Sequence, residues 1–135
     1  MEGLLGRYST YVYAVIRIVF GFLIMMHGTQ KMFGWPPSGK PAAPLVGLAL
    51  AAAIIELVGG LLVMVGLFSG YAAFILSGTM AVAYFMVHQP GGALPIMNGG
   101  ELAVAYCFAF LYISTRGSGT WSIDSIFRRG GGDDR

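Results

Sequence analysis

Long apolar runs, separated by short polar or glycine- and proline-rich segments, dominate the chain. A bilayer-spanning helix needs about 20 apolar residues, and we predict four such helices from this pattern. The stretch from residue 44 to 87 carries one charge, Glu56, and is too long for one crossing, so it must reverse near residues 66–70. The predicted helices cover residues 11–33, 45–66, 70–88 and 101–114, followed by an interfacial C-terminal tail over residues 115–135.

The composition points to a membrane protein. Of the 135 residues, 56% are hydrophobic and 10% are charged, whereas soluble domains carry roughly a quarter charged residues. The mean hydropathy is +0.73. Four crossings use nearly the whole sequence and leave no room for a water-soluble catalytic domain. We therefore predict an all-α fold, an integral membrane four-helix bundle, as a single domain over residues 1–135.

The few charges predict an orientation in the membrane. One predicted side carries Lys31 and Lys40. The other side holds the arginines outside the helices: Arg7, Arg116, Arg128, Arg129 and Arg135. Because positive flanks stay in the cytoplasm, we expect both termini there. The net charge of +2 is too scattered to predict a nucleic-acid partner, so the expected partner is the lipid bilayer.

Two charged residues lie deep within the predicted helices. Arg17 is about 9 Å from one face of a core of ~30 Å, and Glu56 is about 16 Å from the other, so their levels agree within about 5 Å. A buried ion pair between Arg17 and Glu56 is the simplest prediction. It acts either as a clamp on helix register or as a proton relay, and the permanent charge of arginine favours the clamp.

A second polar group lies near the predicted outer ends of the helices. His27 and Lys31 are one turn apart, His88 ends the third helix and Glu101 begins the fourth. We predict that they line an outward-open pocket, with this stripe facing inward on the fourth helix: Glu101, Ala105, Phe108 and Tyr112. Alternatively, each is an interfacial residue whose polar head reaches water.

The outer polar group has the chemistry of a quinone site, because histidine and lysine donate to a quinone carbonyl and a carboxylate exchanges protons. A quinone is therefore a candidate ligand. Haem is disfavoured, since His27 and His88 stand without any further ligation pattern. The sequence contains no zinc spacing, phosphate-binding loop or nucleophile triad, so we predict no metal site and assign no catalytic residue.

Six ordered segments between Val15 and Asp124 resemble the DoxX family. They are RIVFG at 17–21, HGTQKMFG at 27–34, IELVGG at 55–60, AYF at 83–85 with His88, NGGEL at 98–102, and GTWSID at 119–124. The resemblance implies a multi-pass protein of the bacterial inner membrane, in a family linked by name to quinone-reducing, thiosulfate-oxidising membrane complexes.

The resemblance also adds residues to the candidate site. The positions that match family motifs are Arg17, His27, Gln30, Lys31, Glu56, His88, Asn98, Glu101 and Asp124. Gln30 and Asn98 accordingly join the candidate polar pocket, and Trp121 and Asp124 mark a C-terminal motif. Some related membrane proteins use paired cysteines, but this chain has Cys107 alone, so dithiol chemistry is not expected.

Three classes of function remain open at this point. The favoured one is a membrane subunit of a respiratory or redox complex, quinone-linked, with a protein partner. The alternative is a non-catalytic assembly or scaffold protein, and a small transporter or channel ranks third. The sequence does not decide whether the protein is an enzyme; a catalytic role would be that of a quinone-linked oxidoreductase subunit.

Overall fold

The computed structural model describes residues 3–130 and contains helices and connections but no strand over that range. The helices are α1 (Ser9–Phe33), α2 (Gly47–Val65), α3 (Ser69–Ala83), α4 (Pro95–Asn98), α5 (Glu101–Arg116) and α6 (Ile123–Gly130). A 3-10 turn, Gly6–Tyr8, precedes α1. The predicted all-α class is confirmed. The last residues of the predicted tail, 131–135, including Arg135, lie outside the described residues.

Within residues 3–130, three helical segments are long and apolar enough to cross a membrane: Gly6–Phe33, Gly47–Val65 and Ser69–Gly91. The third extends α3 through a π-helical turn, Tyr84–His88, and a 3-10 turn, Gln89–Gly91. With 16 residues, α5 is about 24 Å long, shorter than a typical hydrocarbon core of about 30 Å. The fold is that of a helical membrane protein, and the fourth crossing stays a prediction.

The helices pack in chain order, α1 on α2, α2 on α3 and α3 on α5. By contrast, α1 and α5 meet mainly through aromatic rings, such as Phe20 on Tyr106 at a centroid distance of 5.9 Å. Between the helices lies one apolar core, whose buried members include Ile24, Val63, Leu76, Phe110 and Ile113.

Glycines set the contact between α1 and α2. A Cβ atom on Gly21 would lie 2.5 Å from the backbone nitrogen of Met64, and one on Gly60 would lie 2.7 Å from that of Met25. Gly28 touches the backbone of Leu57 in the same way. Such close approach of backbones is how membrane helices gain packing energy without a hydrophobic driving force. These contacts fix which residues of α1 and α2 face each other.

Helix α2 ends where the sequence predicts a reversal. Gly66 has a left-handed backbone with φ 78°, and the amides of Gly66 and Leu67 both donate to the carbonyl of Leu62. This is the usual glycine-ended helix terminus, in which a side chain at the left-handed position would be strained. Three residues later α3 begins at Ser69, so α2 and α3 form a tight antiparallel pair.

The inward face of α5 differs from the predicted one. The predicted stripe of Glu101, Ala105, Phe108 and Tyr112 is exposed. The buried face consists instead of Ala103, Tyr106, Phe110 and Ile113. The prediction is wrong because a membrane helix is apolar on its lipid side as well, so hydrophobic periodicity alone does not identify the face toward the core.

Candidate functional site

A cavity of about 240 Å³ lies between α1, α2, α3 and α5. It is at the end of the bundle where α1 ends and α5 begins, opposite the described chain ends. Its polar lining is His27, Lys31, Glu56, His88 and Tyr106. Ligand pockets for drug-sized molecules usually measure about 300 to 1,000 Å³, so this cavity fits a single ring or head group.

Glu56 forms an ion pair with Lys31 inside this cavity. The Lys31 Nζ donates to Oε1 of Glu56 at 2.7 Å, joining α1 to α2. The glutamate side chain is 3% exposed and that of the lysine 43%, so the carboxylate is buried and the ammonium reaches the surface. Within the described residues, Oε2 of Glu56 has no hydrogen-bond partner. Because a carboxylate only accepts hydrogen bonds, this oxygen is a buried acceptor for a donor in the cavity.

The two histidines reach the cavity from different helices. His27 packs edge-on against Tyr106, with ring centroids 5.9 Å apart and planes at 85°. His88 stacks on Tyr84, and its Nδ1 lies 3.4 Å from the carbonyl oxygen of Asn98. Both imidazoles therefore pack against a tyrosine ring at the cavity, and their ring nitrogens can donate or accept hydrogen bonds.

Tyr106 is a cavity residue that the sequence-based prediction missed. It is 4% exposed and its ring packs between His27 and Phe110. Tyr106 shares a spacing of three, four and three residues with Ala103, Phe110 and Ile113. That spacing places the four residues on one face of a helix, but the predicted stripe from Glu101 to Tyr112 is spaced just as regularly, so the sequence does not single out Tyr106.

Asn98 does not line the cavity but builds its rim. The Asn98 Nδ2 donates to the hydroxyl oxygen of Tyr84 and to the carbonyl of Gly92, both at 3.1 Å. Its Oδ1 accepts from the amide of Gly100 at 2.8 Å. One side chain thus connects the end of α3, the α3–α4 connection and the start of α5, which bring His88 and Tyr106 into the cavity.

Two other residues of the predicted pocket lie elsewhere. Gln30 Nε2 donates to the carbonyl of Pro36 at 2.8 Å and holds the connection after α1. Glu101 is exposed at the first turn of α5, away from the cavity lining. The cavity lining therefore includes His27, Lys31, His88 and Glu56. The other three predicted pocket residues, Gln30, Asn98 and Glu101, lie outside this lining.

Arg17 and Glu56 are not partners, which corrects the predicted ion pair. Arg17 is completely buried, and its Nε donates to the carbonyl of Val63 at 3.1 Å. Its terminal nitrogens donate to carbonyls of the C-terminal segment, namely those of Ser118, of Thr120 at 3.0 Å and of Trp121 at 2.6 Å. The guanidinium therefore binds backbone oxygens on three sides, an arrangement that its five N–H donors suit.

The register of α1 and α2 explains this correction. The close contact of Gly28 with Leu57 places Glu56 near the level of residue 28. Residue 28 is eleven positions from Arg17, about 16 Å along the helix, so the two charges are far apart. A depth counted from the membrane face assumes that each helix begins at that face. Helix α1 has 25 residues and extends beyond a single bilayer crossing, so the assumption does not hold for it.

The C-terminal motif fastens the opposite end of the bundle. Oδ2 of Asp124 accepts from the amide of Phe68 at 2.9 Å and from the hydroxyl of Ser118 at 2.5 Å. The Asp124 amide donates to the carbonyl of Gly66 at 3.0 Å. The Trp121 side chain is exposed and lies against Tyr11, 5.3 Å between ring centroids. This motif positions the α2–α3 turn and is remote from the cavity.

Among residues 3–130, no group of three or more His, Cys, Asp or Glu side chains could hold a metal ion. The geometry therefore defines a helical membrane protein with a small polar cavity at one end and a folded C-terminal segment at the other.

Comparison with known proteins identifies the family. The DoxX family profile matches residues 12–89. An uncharacterized protein of Haemophilus influenzae is 42% identical over 128 residues, covering 91% of this chain and 96% of the relative. No solved structure matches the chain. The protein belongs to the DoxX family.

Proposed function

We propose that this DoxX-family protein is a membrane subunit of a quinone-linked redox complex and that its cavity takes the head group of a quinol. The observation that carries the proposal is Oε2 of Glu56, a buried carboxylate oxygen without a partner among the described residues. An unpaired buried acceptor costs about 1 to 3 kcal/mol, which a donor such as a quinol hydroxyl relieves.

The cavity residues have complementary roles in this proposal. Glu56 accepts from one quinol hydroxyl, and His27 or His88 contacts the oxygen on the opposite side of the ring. Oxidation of a quinol releases two protons and two electrons. Glu56 and a histidine take the protons, and a redox centre of a partner protein takes the electrons. Lys31 balances the charge of Glu56 before the proton is transferred.

The seam between α1 and α5 offers a route for the apolar tail of a quinol. These helices are joined by rings, including Phe20 on Phe110 at 6.4 Å between centroids, rather than by close backbone contact. Side chains move more readily than packed backbones, so this seam opens at less cost than the glycine contact between α1 and α2. A ligand dissolved in the bilayer would enter there.

The alternative proposal is a non-catalytic assembly or scaffold protein, in which Glu56 and Lys31 only fix the helices. A small transporter or channel ranks third. The redox subunit is preferred because a structural ion pair does not require an unpaired carboxylate oxygen in a cavity that two histidines also line. In either of the first two cases, we propose that the protein works with a protein partner in the bacterial inner membrane.

Binding of a quinone analogue to the intact complex, isolated from native membranes in mild detergent, tests the proposal. We expect Glu56→Gln to weaken binding roughly ten- to a hundredfold, since a hydrogen bond to a charged group is worth about 1.5 to 3 kcal/mol. His27→Ala should weaken it roughly two- to tenfold, the loss of an ordinary hydrogen bond of about 0.5 to 1.5 kcal/mol. Glu101→Gln removes a similar carboxylate outside the cavity and should leave affinity unchanged. If the analogue does not bind the unaltered complex, or binds all three variants with the same affinity as the unaltered complex, the scaffold proposal is favoured.

A further inference from the structure

A second recess lies at the end of the bundle opposite the cavity. It measures about 710 Å³ and is bounded by the α2–α3 turn, the end of α5 and helix α6. Its main lining side chains are Leu67, Phe68, Arg116, Asp124, Phe127 and Arg128. Because α1 begins and α5 ends at this level, we expect the recess to lie at the lipid head groups rather than within the hydrocarbon.

Two arginines give the recess a positive charge. Arg116 is the last residue of α5 and Arg128 lies in the last turn of α6, and both are exposed. Among the described residues, the acidic group at this recess is Asp124, whose Oδ2 already accepts from Phe68 and Ser118. The two guanidinium groups therefore face the recess without a carboxylate partner within the described chain.

Arg116 is held in position by aromatic side chains. Its Nη1 donates to the hydroxyl of Tyr112 at 3.1 Å, and its guanidinium carbon lies 4.9 Å from the ring centroid of Tyr13. These contacts use one of the five N–H donors and one face of the guanidinium. Among residues 3–130, no carboxylate pairs with the remaining donors, which can bind an anion. The aromatic contacts have already removed much of the conformational freedom of the side chain.

Apolar side chains form the rim of the recess. Phe127 is 70% exposed and Phe68 is 62% exposed, and Leu67 lies beside them. Large apolar side chains beside arginines, at the level of the head groups, are typical of a surface that contacts lipid. A free inorganic anion would gain nothing from these rings.

We propose that this recess binds an anionic phospholipid, with Arg116 and Arg128 gripping the phosphate and Phe68 and Phe127 contacting the upper acyl chains. A guanidinium matches a phosphate with two parallel hydrogen bonds, so two arginines hold one phosphate from two sides. A net negative head group binds more strongly than a zwitterionic one, whose ammonium the arginines repel. The bound lipid would also stabilise the packing of α6 on the rest of the bundle. This effect does not depend on a ligand in the cavity.

Thermal unfolding and native mass spectrometry of the full chain in mild detergent test this proposal. We expect phosphatidylglycerol to remain bound and to raise the unfolding midpoint, whereas phosphatidylcholine at equal concentration does neither. The variant Arg116→Gln/Arg128→Gln should lose retention of phosphatidylglycerol at least tenfold. The control is Lys40→Gln, which removes one positive charge from the exposed connection at the opposite end of the bundle. This variant should retain the lipid.

Two results would overturn the proposal. Equal retention of both lipids by the unaltered protein would show that the negative charge is not recognised. An equal shift from inorganic phosphate, lost in the double variant, would assign the recess to free phosphate instead. If the double variant does not fold, Arg128→Gln alone decides, because Arg128 is exposed and its side chain makes no hydrogen bond or ion pair with the described residues. Full retention by that variant would refute the site.

Discussion

The ammonium nitrogen of Lys31 lies 2.7 Å from Oε1 of Glu56, and the two side chains differ sharply in burial, 43% against 3% exposed. The pair connects α1 and α2 near the polar cavity and keeps one carboxylate oxygen inside it. Because the lysine reaches the surface and the glutamate does not, the two residues are not equivalent. Removing Lys31 should therefore have a different effect on stability from removing Glu56.

Loss of the lysine should be the more damaging change. Lys31→Met leaves Glu56 charged and buried, and we expect a decrease in unfolding free energy at the low end of roughly 3 to 5 kcal/mol. Glu56→Gln should cost less, because Lys31 turns to water. Titration with sodium dodecyl sulfate from mild-detergent micelles measures both, and Lys40→Met, in an exposed connection, is the control. Equal losses from Lys31→Met and Glu56→Gln would contradict the asymmetry.

Arg17 should control attachment of the C-terminal segment. Its bonds to the carbonyls of Ser118, Thr120 and Trp121 disappear in Arg17→Gln. We expect tryptic cleavage after Arg116 to accelerate at least tenfold, equivalent to about 1.4 kcal/mol in the opening equilibrium. Arg7→Gln, at an exposed position near the same end, should leave the rate unchanged.

A milder change tests the same attachment if Arg17→Gln does not fold. Asp124→Asn weakens the acceptor for the Phe68 amide and the Ser118 hydroxyl but leaves the guanidinium bonds intact. Cleavage should then accelerate by a smaller factor than in Arg17→Gln. Unchanged cleavage in both variants would mean that these bonds do not hold the segment.

The glycine contact between α1 and α2 should tolerate no added methyl group. In Gly21→Ala the new Cβ would lie 2.5 Å from the backbone nitrogen of Met64, so the helices must separate. We expect a loss of about 1 to 3 kcal/mol or more. Gly78→Ala is the matched control, since no atom of the described residues lies within 4 Å of the added Cβ. Helix propensity should leave this variant neutral or up to about 1 kcal/mol more stable. The same detergent titration compares the two, and similar stabilities would refute the contact.

The helices were predictable because long apolar runs and glycine- or proline-rich breaks are local signals. The sequence predicted helices over 11–33 and 101–114, and the structure has them at Ser9–Phe33 and Glu101–Arg116. Helix α6 was not predicted, although Ile123, Ile126 and Phe127 have helical spacing. Eight residues are too few to form a stable helix alone, so α6 depends on contacts that the sequence does not reveal.

The partners of the buried charges depend on register rather than on depth. Arg17 and Glu56 were both recognisable as buried functional or structural residues, because charges in apolar runs are costly. The glycine contacts of α1 with α2 place Glu56 beside Lys31, several turns away from Arg17. Arg17 instead binds carbonyls of α2 and of the C-terminal segment. A single sequence gives each helix its polar residues but not the offset between two helices.

The distribution of charge between the two ends of the bundle predicts its orientation in the membrane. Arg17 binds carbonyls of the C-terminal segment, and Asp124 binds the Gly66 carbonyl, so both described chain ends lie at one end of the bundle. That end carries the exposed arginines Arg7, Arg116, Arg128 and Arg129, against Lys31 and Lys40 at the other. Positively charged flanks remain in the cytoplasm, so we expect both termini there and the polar cavity on the outer side.

Reporter fusions measure this orientation. A green fluorescent reporter joined after Asp134 should fluoresce, and alkaline phosphatase inserted at Ser38 should be active outside. A second phosphatase insertion at Gly92, between α3 and α4, should also be active, because α5 must then cross back to bring the tail to the cytoplasm. Activity at Ser38 without activity at Gly92 would mean that α3 does not cross as a complete span. The fully reversed pattern would open the cavity to the cytoplasm, and any quinol bound there would release its protons on that side.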